Sequence, residues 1–485
     1  MTQPLQFTIG AAAGEPVNQL AAMCNRHGLI TGATGTGKTV TLQILAESFS
    51  RLGVPVFAAD IKGDLSGLAA AGKPHPKIDE RLAQIPLDSY QLRPCPTLFW
   101  DIHGDKGQPV RTTLSEMGPL LLSNLLELND TQAGVLYAGF KIADDEGLLL
   151  LDLKDLRALL SWMAENAGTL RQAYGNLSPA SIGAIQRKLL VLESQGADLF
   201  FGEPALVLAD LMQTDFSGQG VISILDATRL YAQAPRVYTT FLLWLLSELF
   251  ENLPEVGDAD KPKMVFFFDE AHLLFDQAPK VLLDKIEQVV RLIRSKGVGI
   301  FFITQSPLDI PDDILGQLGL KIQHALRAFT PRDRKVIRAV AQTFADNPAF
   351  DTEEAITDLG TGEALVSTLS AKGAPLPVQR TLIRPPESRI GPLNEAERRE
   401  RLERSPLRGR YDAPVDRESA YEILKQRAER QQAETPLTPP TKPAGRSRQS
   451  LGEAFMKSAA RTIGNQVGRQ IIRGMLGTLF GGTKR

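Results

Sequence analysis

The stretch GLITGATGTGKTVTLQ, Gly28 to Gln43, joins a short apolar run to a glycine-rich turn and then to a helical pattern. Within it, Gly32 to Thr39 fits G-x-x-x-x-G-K-[ST]. Glycines in this spacing let the backbone N–H groups of Gly32, Ala33, Thr34, Gly35, Thr36, Gly37, Lys38, Thr39 and Val40 converge on phosphate oxygens. The positive end of the following helix favours the same anions. Lys38 is expected to reach the β- and γ-phosphates, and Thr39 to ligate Mg²⁺.

Outward from this loop, short continuous apolar runs recur: VPVFAAD at Val54, VISILD at Val221, MVFFFDE at Met264 and VGIFFITQ at Val298. Runs that do not alternate suit strands buried on both faces, as in a parallel sheet covered by helices. Between them lie helical patterns. Leu42, Leu45, Phe49 and Leu52 share one helical face, as do Leu282, Ile286, Val289 and Ile293. The alternation predicts an α/β, doubly wound core with a mostly parallel sheet.

A phosphate loop of this kind needs a second acid at the end of a neighbouring buried strand. MVFFFDEAH supplies Asp269 for the metal and, one residue on, Glu270, placed to activate water for attack on the γ-phosphate. Further on, RLIRSKGVGIFFITQSP offers Arg291 and Arg294, one of which is expected at a helix end to complete the site of an adjacent subunit, and Gln305, at a strand end, to sense the γ-phosphate or position water. No N-K-x-D guanine reader is found, so ATP is the expected nucleotide.

The chain has 485 residues, 43% hydrophobic and 23% charged, which is globular composition and excludes disorder as the main state. Two widely spaced cysteines, Cys24 and Cys95, give neither a disulfide framework nor a zinc knuckle, and a reducing cytoplasm fits. The N-terminus lacks the pattern of a signal peptide, and the greasiest run, FLLWLLSELF, is about half of the ~20 residues that a spanning helix needs.

Composition also divides the chain. Residues 1–111 and 212–390 read as two parts of the core, residues 112–211 as a helical insertion, and residues 391–433 as a charged helical extension. A Pro-rich linker follows at 434–448, then a basic amphipathic helix at 449–485. From Arg446 to Arg485 there are eight Lys or Arg and one Glu, a local charge of +7, which leaves −9 for the rest of a chain whose net charge is −2. In this tail Leu451, Phe455, Ala459, Ile463 and Val467 form one four-spaced row and Lys457, Arg461, Arg469 and Arg473 lie on roughly the other side. Packing on the protein itself, a peripheral contact with an anionic membrane surface, and nucleic acid all stay open for it.

GLITGATGTGKT, ADIKGDLSG, FFFDEAHLLF and IRSKGVGIFFITQSP, in this order, resemble the HerA-like branch of the HerA and FtsK superfamily of P-loop ATPases, in particular its stand-alone bacterial helicase-like (YjgR-like) group. The resemblance covers about residues 28–386. It implies a RecA-like (ASCE) P-loop NTPase core that assembles as a hexameric ring around DNA and hydrolyses ATP between subunits. Carried over by position, Lys38 and Thr39 take the phosphate-loop roles, Asp269 the metal role, Glu270 that of the catalytic glutamate, Arg294 that of the arginine donated in trans, and Gln305 that of the sensor. Asp60, Lys62 and Asp64 match a family signature to which the residues themselves assign no chemistry. The 27 residues before Gly28 do not accommodate the small β-barrel through which some HerA translocases engage a nuclease. DEAH is read as coincidental, because the second RecA-like half of a superfamily 2 helicase is not found. A reading of another class is a nucleotide-gated scaffold with slow turnover that acts through its basic tail.

Overall fold

The computed structural model describes residues 4–434, apart from residues 88, 258, 277–279 and 329. The described chain divides into two compact units. The first is built on a twelve-stranded sheet: β1 (Gln6–Ala12), β2 (Glu15–Leu20), β3 (Gly28–Thr31), β4 (Val56–Asp60), β5 (Thr97–Asp101), β6 (Gln108–Pro109), β7 (Ile222–Asp226), β8 (Met264–Phe268), β9 (Val298–Thr304), β10 (Leu320–His324), β11 (Glu363–Ser367) and β12 (Gln379–Ile383). Their spatial order is β2-β1-β12-β11-β10-β3-β9-β8-β4-β7-β5-β6. From β10 to β6 every pairing is parallel, whereas β11, β12, β1 and β2 add an antiparallel edge.

The central strands are the continuous apolar runs, and they form because both of their faces are covered. Every residue of β3, β4, β7, β8 and β9 is buried. Successive side chains point to opposite faces. Phe267 and Phe301, ring centroids 5.1 Å apart, meet Phe49 on one face. Phe266 and Phe268 pack with Phe57 and Phe302 on the other.

Helix α1 (Lys38–Arg51) departs from its expected one-sided pattern, since its polar residues Gln43, Glu47, Ser48 and Ser50 are buried too. Ser50 donates to the Gly220 carbonyl, and the others meet a strap that follows β12. Arg384 donates to the Ile44 carbonyl and the Ser48 hydroxyl. The Glu47 carboxylate accepts the N–H groups of Glu387 and Ser388 and the Ser388 hydroxyl. Buried polar groups on α1 are thus hydrogen-bonded rather than solvated, as burial demands.

The second unit comprises Thr112–Ser194, Phe201–Glu203 and the described chain from Val415. Two of its helices begin at reciprocal caps, Asn129 with Gln132 and Asp152 with Asp155, each worth about 1 kcal/mol. Leu156, Leu159, Leu160, Met163, Ile185 and Leu189 form buried faces.

These divisions correct the expected boundaries in two places. Gln195–Phe200 and the chain from Pro204 belong to the first unit rather than to a helical insertion reaching residue 211. The extension expected over 391–433 is split. Its first part, through Pro414, stays in the first unit, where Arg410 and Tyr411 both bond the buried Asp210 carboxylate. Its last helix, Ala420–Glu434, belongs to the second unit, where the Asp155 carboxylate accepts from the Ser419 hydroxyl and the Tyr421 N–H. The Pro-rich linker from residue 435 on and the basic helix of 449–485 lie outside the described residues. Among the described residues no helix is long and apolar enough to cross a membrane. Cys24 and Cys95 are both free and buried.

Candidate active site

Parallel strands end on the same side, so Gly32, Asp60, Asp226, Asp269 and Gln305 all fall at or just beyond the C-terminal edge of the sheet. Ligands of open α/β sheets bind at such an edge. The phosphate loop leaves β3 there. Gly32 and Gly37 take φ of 147° and 121°, conformations open to glycine. A Cβ on Gly32 would lie 2.5 Å from that of His324. The loop is held from both sides: the Gly32 N–H donates to the Gln305 carbonyl at 3.3 Å, and the Ala33 N–H donates to the Ala325 carbonyl at 2.9 Å.

His324, at the end of β10, is a site residue that the sequence does not announce. Its Nδ1 lies 3.0 Å from the Glu363 carbonyl and its Nε2 2.8 Å from the Thr41 hydroxyl. A carbonyl only accepts, so Nδ1 carries the proton and Nε2 accepts from Thr41. Burial pushes this imidazole down to about 4, so it is neutral at pH 7. A lone histidine closing an apolar run is the one available signal, and it matches no motif.

Lys38 is buried and donates to the Gly32 and Ala33 carbonyls at 2.6 and 3.2 Å. Burial first, and then the charge of Lys62, draw its ammonium below the usual lysine range, while Glu270 and Asp269 oppose this. Thr34 and Gly35 are exposed at the tip of the loop. Thr36 is buried, its hydroxyl on the Ala33 carbonyl, and Thr39 and Val40 are half-buried in the first turn of α1.

Asp269 and Glu270 follow β8, separated from β3 by β9 alone. Asp269 is 7% exposed, and its Oδ1 accepts the Glu270 N–H. Burial pushes its carboxyl up, with Lys62 opposing. Glu270 takes a left-handed backbone, φ 48° and ψ 50°, which a residue with a side chain adopts at a cost. Its Oε1 lies 2.8 Å from Lys62 Nζ, which is also 3.5 Å from Asp269 Oδ2. Burial alone would raise the Glu270 carboxyl, but the bond and charge of Lys62 outweigh it and hold it below the usual range. Tyr238 is buried near these carboxylates, its hydroxyl without a hydrogen-bond partner among the described residues.

The structure therefore brings together the phosphate loop, Lys38, Asp269, Glu270 and the backbone of Gln305, whose side chain is exposed beside the loop. It does not bring in Arg294 of the same chain. That residue is exposed in the turn before β9, at the end of the strand opposite Gln305, roughly 20 Å away at the usual rise per residue. The donor set suits Mg²⁺, since the Thr39 hydroxyl and the Asp269 carboxylate are hard oxygen ligands that leave other positions to water and phosphate. A positive charge, the Lys62 ammonium, already lies against the same acids.

The family model described as helicase HerA-like C-terminal matches residues 8–440 and 432–485. The chain belongs to this family. The DNA double-strand break repair helicase HerA of Sulfolobus acidocaldarius is 26% identical over 149 residues, 30% of this chain and 29% of that protein, so the match spans less than a third of the relative's length. Two solved structures share the fold. VirB4 of Thermoanaerobacter pseudethanolicus superposes with a TM-score of 0.51 at 15% identity, over 79% of this chain and 97% of that one. The plasmid coupling protein TrwB, in complex with a non-hydrolysable ATP analogue, gives 0.50 at 16% identity, over 79% and 91%. This HerA-like chain thus carries the fold of VirB4 and TrwB, with its acidic pair two strands from the phosphate loop.

Proposed function

We propose that this HerA-like protein hydrolyses ATP with Mg²⁺ at the interfaces of a homo-oligomeric, hexameric ring and uses the turnover to move along DNA. The observation that carries the reading is the split geometry: Lys38, Asp269 and Glu270 converge at one edge of the sheet, while Arg294 is exposed at the opposite end of β9. An arginine so placed is remote from the site of its own chain. The ring, and DNA as the polymer, rest on family membership.

In this reading the loop N–H groups and Lys38 bind the β- and γ-phosphates, and Thr39 and Asp269 hold the metal. Mg²⁺ held there would supply positive charge against the phosphates. Glu270 accepts the proton of the attacking water, Gln305 orients that water or senses the γ-phosphate, and the partner's guanidinium stabilises charge on the transferring group.

The test is to mix two inactive variants. Glu270→Gln and Arg294→Ala should each lower turnover by about 10³-fold or more, by analogy with arginine fingers elsewhere. Mixed together, they should regain activity, because some interfaces then pair an intact Glu270 with an intact Arg294. Mixtures no more active than their components, or a fully active Arg294→Ala protein, would reject hydrolysis at shared interfaces.

A further inference from the structure

The turn from Asp60 to Leu65 lies outside the phosphate loop and is held by a carboxylate of its own. Asp60, the last residue of β4, is 1% exposed. Its Oδ1 accepts the N–H groups of Lys62 at 3.2 Å and Gly63 at 2.7 Å, and its Oδ2 accepts that of Leu65 at 3.0 Å. One carboxylate therefore gathers the turn, which reverses at Gly63 with φ 82°. Since β4 is the immediate neighbour of β8, with Ala59 opposite Phe268, the next residues on the two strands share the sheet edge. Lys62 rises from the pinned turn and spans to the acids of β8.

Its reach has a chemical consequence. The Lys62 side chain is 40% exposed, whereas those of Asp269 and Glu270 are 9% and 14% exposed, so the ammonium comes to the carboxylates from the solvent side. Glu270 Oε1 is thereby tied in an ion pair that lowers the proton affinity of the carboxylate and holds it towards Lys62, while Oε2 lies 3.5 Å from His272 Nδ1 and has no hydrogen-bond partner among the described residues. Two ammonium groups, Lys38 and Lys62, stand against two carboxylates, Asp269 and Glu270. A bound Mg²⁺–triphosphate adds net negative charge on the phosphate side and a dication against Asp269. Both changes draw Lys62 the same way, off the acids and onto phosphate oxygens.

We propose that Lys62 senses the γ-phosphate. It tethers Glu270 when the phosphate site lacks a triphosphate, and transfers its ammonium to the γ-phosphate when ATP binds, which frees Glu270 as base. This rests on the ATPase reading. In the step so released, the water oxygen bonds the γ-phosphorus, and the bond from that phosphorus to the β-bridging oxygen breaks. The electron pair leaves on ADP, and the water proton passes to Glu270. ADP offers no γ-phosphate, so Lys62 returns to its tether and the base is silenced until exchange.

The experiment compares affinities of the full-length protein for a fluorescent non-hydrolysable ATP analogue and for fluorescent ADP, both with Mg²⁺, alongside turnover and thermal melting. Lys62→Ala should lose about 10- to 100-fold in affinity for the triphosphate and change little for the diphosphate. Glu270→Gln removes the tether's partner and should bind the triphosphate more tightly than the wild type, a gain absent from the double variant. Lys62→Met keeps the apolar stem and should behave as Lys62→Ala does, which separates loss of charge from loss of packing. Equal loss for both nucleotides would make Lys62 a structural clamp and overturn the proposal, as would no change for either. A wild-type protein without turnover would reject the ATPase reading and this proposal together, whereas turnover with an unaltered triphosphate preference in Lys62→Ala would reject the proposal alone.

Discussion

Two lysine-bearing turns leave the same edge of the sheet and use their lysines in opposite ways. In the phosphate loop, Lys38 folds back onto its own turn and donates to the Gly32 and Ala33 carbonyls. In the turn after β4 the backbone N–H groups bind their own Asp60, and Lys62 leaves to reach the acids of another strand. The first turn is a receptor complete in itself. The second is a connector, whose effect depends on which strand lies beside it. A receptor fails by losing its ligand, whereas a connector fails by losing the difference between two ligands.

The harshest way to break this comparison is Lys38→Ala. It should lower affinity for ATP and ADP alike and reduce turnover by more than about 10²-fold, read by nucleotide titration and phosphate release. If it spared ADP binding while Lys62→Ala did not, the two roles would be reversed. A milder cut is Asp60→Ala, which leaves the N–H groups of Lys62, Gly63 and Leu65 without their acceptor. Lys62 then keeps its charge and loses its fixed base. Triphosphate preference should fall by about tenfold, with a loss of stability of about 1–3 kcal/mol. A preference unchanged in Asp60→Ala would show that Lys62 finds its partners without the pinned turn.

The same contrast explains what could be read from the chain beforehand. β3, β4, β7, β8 and β9 are continuous apolar runs because both faces are covered, and such runs stand out in a sequence. The antiparallel edge does not stand out. β2 and β12 are half-exposed, with mixed polar and apolar residues, and only their pairing with β1 and β11 makes them strands. Lys38, Asp269 and Glu270 are legible because their chemistry is local to a motif. The reach of Lys62 is not, because it follows from β4 lying against β8, a fact of topology. The polar side of α1 was likewise beyond pattern reading, since most of its partners, Arg384 to Arg389, arrive more than 300 residues later.

The finest test concerns how the phosphate loop is propped and is a matter of pH. His324 beside that loop and His27 at the far end of β3 are both buried and uncharged, each pushed down to about 4 by burial. His27 Nε2 donates to the Val290 carbonyl at 2.8 Å, and its Nδ1 accepts the Ile300 N–H at 3.0 Å. Each ring thus has one nitrogen that accepts: protonation would set that of His27 as a donor against the Ile300 N–H, and would make that of His324 a donor to which the Thr41 hydroxyl must turn as acceptor. The unfolded chain takes up these protons near 6.5, before the folded one does, so each neutral histidine stabilises the fold above pH 6.5. That contribution falls as the pH drops towards 4. Asp60 works in the opposite sense, because burial pushes its carboxyl up to about 7 and the fold gains relative to the unfolded chain as this group protonates. The bare acid limb of the wild type therefore mixes signs, and the informative quantity is a difference. His324→Gln should be less stable than the wild type at pH 7.5, and the gap should narrow by about 1.4 kcal/mol for each pH unit below 6.5. Thermal or denaturant unfolding of both proteins across pH 4 to 8 measures it. A gap that stays constant across that range would mean that His324 props the phosphate loop by its shape alone, with its acceptor nitrogen playing no part.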